Sequence, residues 1–250
     1  MDMKRSSGTL SKFFFLGLFI LCIPVIFSAA PVFNRPIIRL PKPPVFNSTH
    51  EDSLYKVMLL DSLGLSREAF HEALTGYSNL EKTGTIQKAR ILSIIDFSLP
   101  SFKKRLFVID LSQCKLLFNT LVAHGKNSGS ILATRFSNRN RSRESSLGFY
   151  LTGDSYVGKK GYSLRLFGME AGINDNALQR GIVMHAASYV SEERANALGH
   201  VGRSEGCPAI PQEVHKAVIE TIKEGSCFFI YGQDKKYPLR SKILQPAGIS

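Results

Sequence analysis

ILSIIDFSLPSFKKRLFVIDLSQCKLLFNTLVA, residues 91–123, carries the pattern that decides the fold class. Ile91 to Phe97, Arg105 to Leu111 and Leu116 to Ala123 are β-branched and aromatic runs of strand length, separated by short turns. The pattern continues downstream. Phe149 to Thr152, Ser163 to Phe167, Gly181 to His185 and Cys227 to Tyr231 read as further strands, joined by loops heavy in Ser, Asn and Gly. Upstream the period changes. Phe70, Ala73, Leu74 and Tyr77 fall at i, i+3, i+4 and i+7 after Ser66, which can cap a helix. A shorter helix is expected from about Asp52 to Ser62. A late one opens at Pro211, carries Val214, Ala217, Val218, Thr221 and Ile222 on one side, and closes at Gly225. The expectation is an α+β protein, mostly strand, with mixed sheets in a sandwich-like arrangement and helices at its front and back.

The same pass divides the chain of 250 residues. Residues 1–30 look like an export segment: Lys4 and Arg5 precede an uncharged apolar run from Phe13 to Phe27, and Ser28-Ala29-Ala30 offers small residues for cleavage. Pro31 lies directly after that point, so a cleaved signal peptide and an uncleaved anchor both stay open. Residues 31–50, with Pro41, Pro43 and Pro44, read as an extended linker. Residues 51–88 read as a helical accessory region, 89–240 as the β-rich main domain and 241–250 as a tail. The expected location is the periplasm or cell envelope.

The net charge of +12 points to anionic surroundings. No nucleic-acid-binding motif accompanies it, and an export segment speaks against that partner. Arg135, Arg139, Arg141 and Arg143 cluster in a Ser/Asn-rich stretch and either grip carboxylates through paired N–H donors or simply solvate a loop.

Export also sorts the cysteines. Without residues 1–30, Cys114, Cys207 and Cys227 remain, an odd number for an oxidising compartment. Cys114 and Cys227 are either bridged or separately buried; Cys207 is the thiol left over. It stands in Gly202-Arg203-Ser204-Glu205-Gly206-Cys207-Pro208, between a glycine that opens space and a proline that lacks an N–H. His185, ending a strand, is the leading base, with His124 and His200 as weaker candidates. Because Pro208 has no donor, N–H groups for a developing oxyanion must come from Cys207, Gly206 or a neighbouring loop. Arg203 either binds a substrate carboxylate or braces the loop, Ser204 braces it or positions His185, and Glu205 reads as a solvated carboxylate. Zinc is disfavoured, because His185, His200 and Cys207 include no close ligand pair.

These stretches resemble the murein L,D-transpeptidase catalytic-domain family of cysteine enzymes. The likeness is carried by Ile95-Asp96-Phe97-Ser98, by Val122 to Gly129, by Phe136-Ser137-Asn138, by Ser145 to Tyr150, by Gly172 to Asp175, by His185 to Val190 and by Gly202 to Ala209. The resemblance implies Cys207 as nucleophile and His185 as general base, with no cofactor and no metal. Gly206, Ser204 and Arg203 would serve the oxyanion or loop positioning; His124, Tyr189 and Arg135 are the substrate-binding candidates. It further implies a thioester acyl-enzyme on a peptidoglycan stem peptide, formed as a terminal D-alanine leaves and resolved by an amine to a 3–3 cross-link. One departure bears on the second half-reaction. Better-known relatives read Ser-His-Gly-Cys, then an apolar residue and Arg or Asn, where this chain has Glu205 and Ala209. Water as acceptor, giving an L,D-carboxypeptidase or a cross-link hydrolase, therefore stays open, as does a non-catalytic wall-binding module.

Overall fold

The computed structural model describes residues 48–245. The expected export segment lies outside the described residues, as do most of the linker and residues 246–250. The chain separates at residues 43 and 44 into two units, and the second holds everything described below.

Two helices come first, α1 (Ser48–Val57) and α2 (Arg67–Lys82), and Ser66 caps α2 by accepting a hydrogen bond from the Ala69 N–H. The strands are β1 (Ile91–Asp96), β2 (Leu106–Asp110), β3 (Lys115–Thr120), β4 (Gly148–Gly158), β5 (Gly161–Gly168) and β6 (Val183–Ala186). After them come α3 (Glu192–Leu198), β7 (Ala209–Ile210), α4 (His215–Ile222), β8 (Cys227–Tyr231) and α5 (Tyr237–Arg240). All eight strands join one mixed sheet in the order β3-β2-β1-β8-β4-β5-β6-β7. The β-rich α+β expectation holds, with one sheet that curls until its ends meet. Beyond β3, Ala123 bridges Ala209 of β7, its N–H donating to the Ala209 carbonyl at 2.8 Å, and Gly125 bridges Ser204. Closure of this kind removes two exposed edges. It also brings the segment 122–129 against the segment 203–209.

Every residue of β1 is buried, because β2 and the parallel β8 flank it while α2 covers one face. That double burial explains why ILSIID shows no in/out alternation, its four aliphatic residues falling on both faces. Phe70, Ala73, Leu74 and Tyr77 of α2 enter the same apolar core as β1 and β8. The buried Asp96 ties helix to strand: one oxygen accepts the Ser66 N–H at 2.9 Å, the other the Ser98 N–H at 3.0 Å. The Gly172–Asp175 stretch is likewise structural. Asn174, fully buried, donates to the Leu147 and Phe149 carbonyls, and Glu170 accepts from the Phe149 N–H and the Tyr237 hydroxyl.

A second, smaller apolar cluster of Leu121, Ala123, Ala187, Val190, Ala195, Val201 and Ala209 supports the seam where the sheet ends meet. Cys114 and Cys227 are both free, Cys114 exposed after β2 and Cys227 buried in β8. Among the described residues no helix is long and apolar enough to cross a membrane.

Candidate active site

The parallel pairing of β6 with β7 sets the site. His185 is registered with Ala209, and the His185 N–H faces the Pro208 carbonyl at 3.4 Å. Cys207 lies two residues before Ala209, so it falls beside Val183, two before His185. The thiol and the imidazole thus come from adjoining segments of the seam, and the Val183 N–H reaches the Cys207 sulfur. Cys207 and His185 are both buried.

The histidine ring is held in one tautomer. Nδ1 lies 2.8 Å from the Ala186 carbonyl oxygen, which can only accept, so Nδ1 carries the proton and Nε2 keeps its lone pair. The atom that Nε2 meets is Nζ of Lys160, at 3.4 Å. Burial lowers the His185 pKa from the ordinary histidine value; the bond to Ala186 opposes this, and the Lys160 charge adds to it. The ring is therefore neutral near pH 7 and able to act as a base.

The Cys207 sulfur lies 3.6 Å from the Gly181 carbonyl, to which its S–H donates. Burial pushes the thiol above its ordinary range, while a hydrogen bond from the Val183 N–H and the charges of Lys160 and Arg180 pull it back. The sulfur and the imidazole are not hydrogen-bonded to each other in this resting arrangement. A neutral thiol beside a neutral imidazole is the protonation state these environments favour.

Around the thiol the loops lock through hydroxyl groups. Ser204 Oγ accepts the Gly206 N–H at 3.0 Å and donates to the Cys207 carbonyl at 2.6 Å. Ser145 Oγ accepts the Gly125 N–H at 3.1 Å and donates to the Gly206 carbonyl at 3.3 Å. Of the N–H groups considered for an oxyanion, that of Gly206 is thus already engaged, whereas that of Cys207 has no acceptor among the described residues. Gly206 has φ +121°, and a Cβ there would sit 2.8 Å from the Glu144 carbonyl oxygen. Gly206→Ala is expected to cost about 2 kcal/mol or more and to slow acylation of Cys207, as read by thermal melting and thiol labelling. An unchanged melting temperature would contradict that account.

The remaining candidates occupy separate places. His124 is fully buried; its Nδ1 accepts from Arg105 at 2.8 Å, and its pKa is lowered to about 4 by burial and by the Arg105 charge. It can touch a substrate only through the loop it supports. Arg203 is exposed and donates to the Gly129 and Lys126 carbonyls, which makes it a brace across the seam. Tyr189 is half-buried over Gly202, where a Cβ would come 2.6 Å from the tyrosine side chain. Arg135 donates to the Asn127 carbonyl at 2.9 Å and lies 3.7 Å from Glu144. Glu205 is exposed, as expected, and is also paired: Lys126 holds one oxygen at 2.6 Å and Arg143 the other at 2.9 Å. His200 bonds the Val201 carbonyl through Nδ1. Among the described residues no three His, Cys, Asp or Glu side chains converge on a metal position.

Two neighbours of the thiol carry no sequence flag of their own. Lys160 reaches His185 from the β4–β5 hairpin, whose turn Gly158-Lys159-Lys160-Gly161 is the only signal in the chain. Arg180 comes from the turns before β6 and donates to the Ser137 and Glu144 carbonyls, both at 2.6 Å.

A family model described as L,D-transpeptidase catalytic domain matches residues 62–231. The chain belongs to the L,D-transpeptidase catalytic domain family. Solved structures similar to it include an L,D-transpeptidase from Mycobacterium smegmatis, at 11% identity and TM-score 0.37, covering 57% of this chain and 59% of that one. Another is the helical cell shape determining protein Pgp2 from Campylobacter jejuni, at 11% identity and TM-score 0.38, covering 68% and 58%. A third is an L,D-transpeptidase from Stackebrandtia nassauensis, at 15% identity and TM-score 0.35, covering 74% and 78%. The chain thus spans less than two thirds of the length of the first two. No curated protein sequence matches the chain at a significant level. In this L,D-transpeptidase domain, the matched residues include β6, β7, Cys207 and His185.

Proposed function

We propose that this L,D-transpeptidase domain is a cysteine acyltransferase of peptidoglycan stem peptides, with Cys207 as nucleophile and His185 as general base. The observation that carries the reading is the β6–β7 register, which brings a buried thiol and a tautomerically fixed, neutral imidazole onto adjoining segments of the seam. His185 Nε2, once it leaves Lys160, takes the thiol proton. The sulfur then attacks the carbonyl of the third stem residue. The amide bond to the terminal D-alanine breaks, the proton held by His185 goes to the departing amine, and a thioester remains. Covalent capture splits one amide exchange into two easier steps. The Cys207 N–H, lacking an acceptor, is the donor best placed to meet the developing oxyanion. In the second step an amine of a neighbouring stem, deprotonated by His185, attacks the thioester and gives a 3–3 cross-link. Water in place of that amine would make the protein an L,D-carboxypeptidase.

Peptidoglycan is the partner this assigns, and the expected export segment is consistent with a site of action in the envelope. The experiment is to incubate the protein with disaccharide-tetrapeptide and digest it for mass spectrometry. An adduct equal to the substrate less D-alanine, located on the Cys207 peptide, is expected. An adduct on another residue, or turnover with none on Cys207, would overturn the assignment. The released products separate an amine acceptor from water.

A further inference from the structure

Beside the loop that leads to the thiol, Asn127, Arg141, Arg143, Arg180 and Glu205 line an open cavity of about 590 Å³. Three guanidinium groups face one carboxylate, and that carboxylate already serves Lys126 and Arg143. Arg180 donates only to neutral oxygens, those of Ser137, Ser142, Glu144 and Ser146. Arg141 is exposed and makes no hydrogen bond or ion pair among the described residues. The cavity therefore holds more positive charge than its own residues neutralise.

Its backbone is fixed in advance. Arg141 and Arg143 have φ of +58° and +59°, a region that non-glycine residues seldom adopt. Asn127 holds them there: its side chain donates to the Ser142 carbonyl at 2.8 Å and its N–H to the Arg143 carbonyl at 3.0 Å. Unusual backbone angles kept by surrounding bonds are a feature of binding loops. The cavity reaches the residue before the nucleophile, because a Cβ on Gly206 would lie 3.2 Å from Arg180 Nη2.

We infer that this cavity is a carboxylate-binding subsite, in which Arg141 and Arg143 seat the free terminal carboxylate of the donor peptide, the one on the leaving residue. Of the four clustered arginines, these two line the cavity, while Arg135 braces the loop from outside it. Glu205 sets the spacing of the cations, and Arg180 pins the loop while adding charge. The inference rests on the acyltransferase reading for its choice of ligand, but its test needs no turnover.

The test measures binding of a tetrapeptide acid and the matching C-terminal amide to Cys207→Ala protein by calorimetry. The acid is expected to bind about tenfold more tightly, the discrimination one charge-assisted guanidinium–carboxylate pair supplies. Arg141→Gln and Arg143→Gln together should abolish that preference. Arg141→Gln alone should reduce it several-fold, and because Arg141 is exposed and makes no hydrogen bond or ion pair among the described residues this variant should fold. Arg139→Gln, outside the cavity, should leave the preference intact. Equal binding of acid and amide by the parent protein, or a preference that survives the double substitution, would overturn the subsite. Failure to form an adduct on Cys207 in the native protein would instead sink the acyltransferase reading, leaving this binding result standing by itself.

Discussion

Replacing His185 with alanine will slow acylation of Cys207 at neutral pH by about 10²- to 10⁴-fold, the usual worth of a positioned general base. Cys207→Ala sets the zero of that scale. The direction follows from the two groups' environments. Burial holds the thiol above its ordinary range, so without a base little thiolate exists near pH 7. Burial and the Lys160 charge hold His185 below the ordinary histidine value of about 6.5. The native enzyme should therefore keep its activity as pH falls to that value, and lose it only below, as the imidazole protonates. In the His185→Ala protein the activity left should climb with pH through the thiol range, tracking free thiolate. Iodoacetamide labelling of Cys207 across pH reads the same groups without substrate. Labelling that rises with pH fits the neutral thiol–imidazole pair. A rate flat from about pH 5 to 8 would mean a preformed thiolate–imidazolium pair and would contradict this account.

What the sequence discloses depends on where each element's neighbours lie. β1, β2 and β8 read clearly because their residues are buried, so composition alone reveals them. β7 does not, since two residues between prolines become a strand only through pairing with β6 across the seam. α3 is marked in the sequence by its ends alone. It buries only Ala195, so no apolar stripe announces it, yet Ser191 caps its start and Gly199, in the left-handed region, ends it. The late helix starts at His215 and not near Pro211, with no side chain capping it at Val214.

The site divides in the same way. Cys207 and His185 stand out because their local sequence is odd for a core. Lys160 and Arg180 matter through distance alone, and distance across a sheet is not written in neighbouring letters. Glu205 is exposed as its sequence context suggests, and what the letters do not show is its pairing with both Lys126 and Arg143.

Arg105→Met will destabilise the domain by about 3 kcal/mol or more, lowering its melting temperature by roughly 10 °C. Its side chain is fully buried, with the guanidinium over the Phe97 ring at 4.8 Å. Burial pushes its pKa down to about 9, which still leaves it charged at pH 7. The compensation is a fork of donors: Nε and Nη2 both reach the Val122 carbonyl, Nη1 the Leu99 carbonyl, and Nη2 also His124. Methionine keeps much of the volume and strands those acceptors in a water-free place. Arg105→Lys retains charge without the planar fork and should fall between the two. The functional consequence runs through His124, whose Nε2 faces the Gly129 carbonyl at 3.4 Å and whose backbone carbonyl accepts the Ser204 N–H at 2.9 Å. Loosening His124 therefore loosens the loop that carries Ser204, Gly206 and Cys207. Arg105→Met protein, assayed well below its melting point, should acylate more slowly than the native protein while its far-ultraviolet dichroism stays native. A melting temperature within about 2 °C of the native value would show that the buried fork is dispensable and that the seam is held by its backbone pairing alone.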